Sequence, residues 1–163
     1  MVTILNTPAQ QLKGNQNFAG QDLTGARFQG QDLSNADFSQ ACLQGANFSY
    51  ADLRGANFSN ANLANATFVN AILDDADLTD ANFTNTIVRS ASFQNTLICR
   101  TIFQDVCFFQ VDLRAARIRF ANLERASLYG AFVRPDQIVD CRFNYLTGPD
   151  GRMAMLPQPT VDG

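Results

Sequence analysis

The chain contains no histidine and no tryptophan, only one lysine (Lys13), and charged residues make up just 17% of it. Without histidine it lacks the commonest general base and a favoured zinc ligand. Its four cysteines, Cys42, Cys99, Cys107 and Cys141, show no C-x-x-C spacing, so the pattern spells neither a zinc site nor a redox pair. Four free thiols standing in for small residues is the simpler reading. No stretch approaches the ~18 consecutive apolar residues that a membrane helix needs. Residues 1–12, MVTILNTPAQQL, hold neither a basic leader nor a secretory apolar core. The expectation is therefore a cytoplasmic protein with no membrane contact. The formal net charge of −3 is too mild to announce a nucleic-acid binder, and 46% hydrophobic residues is too many for a disordered chain. At 163 residues, one domain is expected.

What the chain has in abundance is phenylalanine, 14 copies, and most of them sit on a strict period. Starting at Phe18 and stepping by five, the chain meets a large apolar side chain 26 times without a gap, ending at Phe143. Two positions before each lies a small residue, Ala36, Ala41, Ala46 and Ala51 among them; Thr86, Thr96, Thr101, Val106 and Val111 hold this place later. Neither a helix nor a strand has a period of five. In an extended segment, residues two apart point to the same side, so the small and large residues share a face and the residue between them points out. The last residue of each five is often Gly, Asn or Asp, the types that tolerate a turning backbone. A chain that turns after every five residues winds into a coil with its large side chains inside. One coil cannot bury its own faces, but stacked coils can. The N-x-S/T sequons at Asn47, Asn57, Asn65 and Asn82 are by-products of this repeat.

The units Ala36-Asp37-Phe38, Ala51-Asp52-Leu53, Ala56-Asn57-Phe58, Ala76-Asp77-Leu78 and Ala121-Asn122-Leu123 follow the A(D/N)(L/F)xx pattern. In this the chain resembles the pentapeptide-repeat proteins. The resemblance implies an all-β fold, a right-handed quadrilateral β-helix with four pentads per coil. It suggests about 6.5 coils over residues 16–145, roughly 31 Å at ~4.8 Å per coil. Residues 1–15 are expected to form an N-terminal cap with a short helix begun by Thr7-Pro8, and 146–163 a C-terminal cap and loose tail. The helix and a terminal Pro-Asp-Gly are similar to features of some cyanobacterial members, a few of them tied to heterocyst regulation.

With four pentads per coil, residues twenty apart stack into columns on four faces. Face 1 is led by Phe18, face 2 by Leu23, face 3 by Phe28 and face 4 by Leu33. The early coils thus set two Phe columns on opposite faces. Residues 118–133 place no Phe inside, so the last full coil is expected to pack loosely, or Phe120 and Phe132 to help cover it. Gln16, Gln21 and Gln31 take inward small positions in the first coil, where they can satisfy backbone left unpaired at the open end. At the other end Pro135 and Asp136 break the pattern, Asp136 falling where a small inward residue belongs.

The chemistry of a site is thin on such a surface. The outward Asp and Asn read most simply as solvated rungs of the repeat, and the cluster Asp74, Asp75, Asp77 and Asp80 lacks the Gly and Glu of a calcium loop. No catalytic residue, cofactor or metal is expected. The family resemblance also implies, as an alternative, a DNA mimic that binds type II topoisomerases. B-DNA of ~31 Å would carry roughly 18 negative charges. Here residues 1–82 hold 8 acids and 3 bases, net −5, and residues 83–163 hold 7 acids and 9 bases, net +2. The basic half works against DNA imitation, and scattered arginines do not make a nucleic-acid site. What remains is an interaction patch on face 3: Ile87, Arg89, Cys107, Phe109 and Tyr129, apolar and aromatic where other outward positions are polar. The expected function is a non-enzymatic protein-interaction module, with an unidentified protein partner or a second copy of itself. The likeness to heterocyst-linked members makes a regulatory role conceivable. A topoisomerase-binding mimic and a weak ligand-binding or enzymatic role are the alternatives. Cover of the patch by the tail, through Met153, Met155 and Leu156, is a third use of the same surface.

Overall fold

The computed structural model describes residues 12–138, 140–143 and 146–150. Its organising rule is a step of twenty. Parallel pairing links Asn17 to Asp37, Asp37 to Asn57 and Asn57 to Asp77, and the same step recurs on each face as far as Ser127 and Thr147. Each level of the coil is four extended sides, each paired mainly at one residue. Among the described residues two sides lengthen into three-residue strands, β1 (Leu97–Cys99) and β2 (Arg117–Arg119), which pair in parallel with Ile98 opposite Ile118.

Three backbone hydrogen bonds tie a side to the level beyond or before it. Phe38 N–H donates to Asn57 O at 2.7 Å, Gln40 N–H to Ser59 O at 2.9 Å, and Asn57 N–H to Ala36 O at 2.9 Å. The corner between sides closes with a bond three residues long, as from Ala41 N–H to Phe38 O at 3.1 Å. From Asn15 to Gly130 the second corner residue takes φ between 54° and 70° at five-residue intervals, Ala115 excepted. This left-handed backbone is why Gly and Asn recur there. Tyr50 and Phe120 adopt it too, at φ 61° and 54°, and bulky residues rarely do. Both rings remain exposed, at 61% and 59%, so the lattice of stacked coils holds the corner against the local preference.

The outward Asp and Asn do more than face water. Asp37 Oδ1 accepts the Ser39 N–H at 2.9 Å, and Asn47 and Asn57 do the same for Ser49 and Ser59. These three corner N–H groups have no bond along the coil stack, so the side chain satisfies an otherwise idle donor. The Asp/Asn of the repeat is therefore a corner cap. Where Ser92 occupies this position, Asp74 of the previous level takes over, accepting from the Gln94 N–H at 2.9 Å.

Inside, the phenylalanines form the expected columns. Phe18, Phe38 and Phe58 stack on face 1 at 4.8 and 5.0 Å, and Phe28, Phe48 and Phe68 stack on face 3 at 5.0 and 4.9 Å. The two columns meet edge to face, Phe38 against Phe48 at 5.6 Å and 85°. Such pairs add to the ~1.5–3 kcal/mol that burying each ring contributes. Beyond Phe108 the packing changes. A small apolar void opens between Ile98, Phe103, Phe108, Leu113, Ile118, Leu123, Leu128, Val133 and Ile138. Loose packing is thus found where the inward Phe run out. Phe120 and Phe132 do not relieve it, being 59% and 55% exposed.

Both ends use glutamine. Gln31 Oε1 accepts the Leu12 N–H at 2.7 Å, and Gln16 and Gln21 donate to Lys13 O and Asn17 O at 2.9 and 3.2 Å. The expected helix over residues 8–12 falls almost wholly outside the described residues. At the far end a single 3-10 turn, Pro135–Gln137, interrupts the coil. Asp136 does not turn inward as its register suggested; its side chain is 74% exposed. Gln137 goes inside instead, and its Nε2 reaches Leu113 O, Arg114 O and Ala116 O at 2.9, 3.1 and 2.8 Å. Its Oε1 accepts the Arg134 N–H at 2.8 Å. The amide thus gives Ala116 O the donor that a backbone N–H twenty-one residues on supplies elsewhere in the coil, as from Asn57 N–H to Ala36 O. Pairing then resumes through Arg142 and Thr147, with Leu146 and Gly148 both buried.

Candidate interaction face

Face 3 carries its outward residues in two columns, one before and one after the buried large residue. Ile87 and Cys107 are paired neighbours in the first, both exposed, Ile87 at 53%. Arg89, Phe109 and Tyr129 follow one another in the second. The Phe109 and Tyr129 rings lie nearly parallel, 22° apart with centroids at 6.1 Å. The Arg89 guanidinium sits over the Phe109 ring at 5.3 Å. All five residues singled out from the sequence therefore fall on one continuous surface.

Four of them, Ile87, Arg89, Cys107 and Phe109, line a shallow groove of about 450 Å³. Asn85, Thr86 and Asp105 complete its wall. These three were missed because the sequence reading followed the outward columns alone. They belong to the corner and inward columns one to four residues earlier, and including those columns would have found them. Asp105 is fixed by both oxygens to Arg125, Nε and Nη2 each at 2.7 Å. The groove is thus lined by the apolar Ile87, Cys107 and Phe109, the polar Asn85 and Thr86, and two charged residues, Arg89 and the Arg125-bound Asp105. Arg89 forms no salt bridge among the described residues, unlike Arg100, Arg114, Arg119, Arg125, Arg134 and Arg142. Tyr129 stands beyond the groove, extending the aromatic surface toward Pro149.

The remaining charges are knitted locally. Asp80 binds Arg100 and Asp112 binds Arg114 through paired hydrogen bonds. The guanidinium holds Asp80 below the usual carboxylate range, and in the same way holds Asp112 at about 2. Asp52 and Asp105 are lowered by Arg54 and Arg125 in the same way. A depressed carboxylate contributes stability above its unfolded pKa and loses it as pH falls through the folded value. The melting temperature should therefore drop between pH 4 and pH 2 while staying level from pH 5 to 7. Melts that are flat from pH 5 down to pH 2 would contradict these pairs. Because the groups are largely exposed, the drop should shrink in high salt. Among the described residues no three Cys, Asp or Glu side chains converge as a metal site. Asp74, Asp77 and Asp80 of the acidic cluster each serve a neighbour in the coil.

A coil of four five-residue sides, with this alternation of small and large inward residues, defines a class of protein. The pentapeptide-repeat family model, in 8 copies, matches residues 17–49, 41–80 and 76–114. The chain belongs to that family, whose members wind into a right-handed quadrilateral β-helix. Among solved structures it is similar to a pentapeptide repeat protein of the Arabidopsis thaliana thylakoid lumen, at 32% identity over 74% of each chain and a TM-score of 0.53. It also matches QnrB1, a plasmid-mediated fluoroquinolone resistance protein, at 21% identity over 82% of this chain and 70% of that one, TM-score 0.44. HetL, involved in heterocyst differentiation regulation in the cyanobacterium Nostoc sp. strain PCC 7120, matches at 20% identity over 90% and 93% of the two chains, TM-score 0.28. Neither of the last two likenesses bears on function. No curated protein sequence matches the chain. Among the described residues no helix is long and apolar enough to cross a membrane.

Proposed function

We propose that this chain is a non-enzymatic protein-interaction module that binds through face 3 and serves a regulatory rather than a catalytic role. The observation that carries the reading is the continuity of Ile87, Cys107, Arg89, Phe109 and Tyr129 on a surface whose other outward positions are mostly Ser, Thr, Gln, Asn and Asp. An apolar surface with stacked aromatics and an arginine is the composition that marks binding hot spots. The partner it suits presents an apolar segment with a carboxylate for Arg89. We place the protein in a reducing compartment such as the cytoplasm, where its four free thiols would persist. DNA mimicry is disfavoured by the basic half of the chain, where Arg89 and Arg117 form no salt bridge among the described residues.

The experiment is capture of partners from the native host with the wild-type chain and with Phe109→Ser/Tyr129→Ser. A specific partner retained by the first and lost at least ten-fold by the second, at unchanged melting temperature, supports the reading. Equal capture by both removes face 3 from consideration. Inhibition of gyrase supercoiling at low micromolar concentration would replace the proposal with the topoisomerase one.

A further inference from the structure

The last level of the coil pairs on faces 2, 3 and 4, through Arg142, Thr147 and Phe132, but among the described residues not on face 1. There the ladder runs from Asn17 through Asp37, Asn57, Asp77 and Leu97 and ends at Arg117. A regular coil would continue it to residue 137 and point that side chain outward beside Arg117. Instead the turn Pro135–Gln137 draws Gln137 inside, where its amide bonds Leu113 O and Ala116 O. Outside, at that level, lies a groove of about 460 Å³, within the ~300–1,000 Å³ of small-molecule sites. Arg117, Arg119 and Arg134 line it together with Asp136, Asp140 and Leu97.

These three arginines are held more loosely than their neighbours. Arg100, Arg114 and Arg125 each bind one carboxylate through two nitrogens at 2.6–3.0 Å. Arg119 meets Asp140 through Nη1 alone at 3.2 Å. Arg134 meets Asp136 at 3.5 Å, beyond ordinary hydrogen-bond reach. Arg117 is exposed and forms no salt bridge among the described residues. Three positive charges against two negative leave the groove one positive charge in excess.

The charges select the ligand. A carboxylate would do no more than Asp136 and Asp140 already do. A phosphoryl group brings three acceptor oxygens and up to about two negative charges, and guanidinium N–H donors meet it in pairs. Leu97, 37% exposed, offers an apolar wall for a short hydrocarbon portion. We propose that the end of face 1 is a site for a small organic phosphomonoester, its phosphoryl group held by Arg117, Arg119 and Arg134 and its apolar part against Leu97. Arg117 and Arg119 belong to β2, whereas Arg134 directly precedes the 3-10 turn. The bound phosphoryl group therefore ties together two levels that backbone pairing leaves apart on this face. The site lies opposite face 3 and does not depend on the reading of that surface.

Phenyl phosphate is the probe, titrated into the full chain at low ionic strength and followed through the arginine side-chain N–H signals by NMR. It should saturate, shift the signals of these three arginines, and bind about ten-fold tighter than phenyl sulfate, which has the same shape and one negative charge. Inorganic phosphate should bind more weakly, for want of the contact with Leu97. Arg117→Gln should weaken phenyl phosphate about ten-fold at an unchanged melting temperature. Arg27→Gln, the same loss of charge at an exposed position on face 3, should leave the affinity unchanged. Asp140→Asn should tighten binding about three-fold by freeing Arg119, a gain that misfolding cannot produce. No saturation at millimolar probe, equal affinity for phenyl sulfate or inorganic phosphate, or an equal effect of Arg27→Gln overturns the proposal. So does a phosphotyrosine peptide bound about ten-fold tighter than phenyl phosphate, which would assign the groove to a protein ligand. If Arg117→Gln melts early, Asp140→Asn decides, and unchanged or weaker binding there refutes the site.

Discussion

Phe48→Ala should cost about 4 kcal/mol, among the largest losses expected from a single substitution in the core. Its ring is fully buried, stacked on Phe28 and Phe68 at 5.0 and 4.9 Å and met edge-on by Phe38 and Phe58 at 5.6 and 5.7 Å. Truncation removes contacts to four rings at once and leaves a hole that the coil cannot close. The levels are pinned at the hydrogen-bonding distance between strands, so neighbouring coils have little freedom to collapse into it. Leu128→Ala should cost less, about 2–3 kcal/mol, because Leu128 already borders a void and loses fewer contacts. Urea unfolding followed by circular dichroism would read both. Equal losses would mean that the packing gradient along the coil has no energetic consequence. In a repeat array the two variants should also unfold differently, the C-terminal one by early loss of its own end.

Gln137→Leu should lower stability by about 3 kcal/mol, although leucine is the more apolar residue. The amide serves three carbonyls and one N–H at a level where backbone pairing is interrupted. Leucine fills the space but leaves Arg114 O and Ala116 O without this donor, while Leu113 O keeps the Ala116 N–H at 2.9 Å. Each buried carbonyl left without a donor costs about 1–3 kcal/mol, which outweighs the gain from burying a hydrocarbon side chain. Gln137→Glu isolates the cause: it keeps the size and the acceptor for Arg134 but removes the donor to Leu113, Arg114 and Ala116. Both variants should melt earlier than the wild type, with raised hydrogen exchange around residues 113–119. A Gln137→Leu protein that melts at the wild-type temperature would show that water serves these carbonyls equally well.

The five-residue period made the interior legible from Phe18 to Phe143, because only one side of each short extended segment can face a core. Combined with the four pentads per coil that the family resemblance implies, it also placed Ile87, Arg89, Cys107, Phe109 and Tyr129 together, since a step of twenty fixes which outward residues are neighbours. Less was legible where the repeat departs from itself. Asp136 holds the register of an inward residue, yet a carboxylate has no partner there and the 3-10 turn carries it out to solvent. Gln137 carries no sequence signal because its role depends on carbonyls more than twenty residues away. The same limit hid the second duty of the outward Asp and Asn. That they point out follows from alternation, whereas accepting a corner N–H depends on how tightly the corner closes.

The absence of histidine and tryptophan accords with a repeat whose inward positions take mainly Ala, Leu and Phe and whose outward Asp and Asn cap the corners. The sequence alone determined the five-residue coil and which residue of each five faces inward, because these follow from periodicity and from alternation along a short extended segment; the four faces came with the family resemblance that its motifs carry. The tertiary structure alone decided where the core opens into a void, which amide repairs the broken level, and how Arg89, Phe109 and Asp105 frame a groove. Those features depend on distances between side chains a full turn or more apart, and a periodic pattern carries no information about how well such side chains fill the space between them.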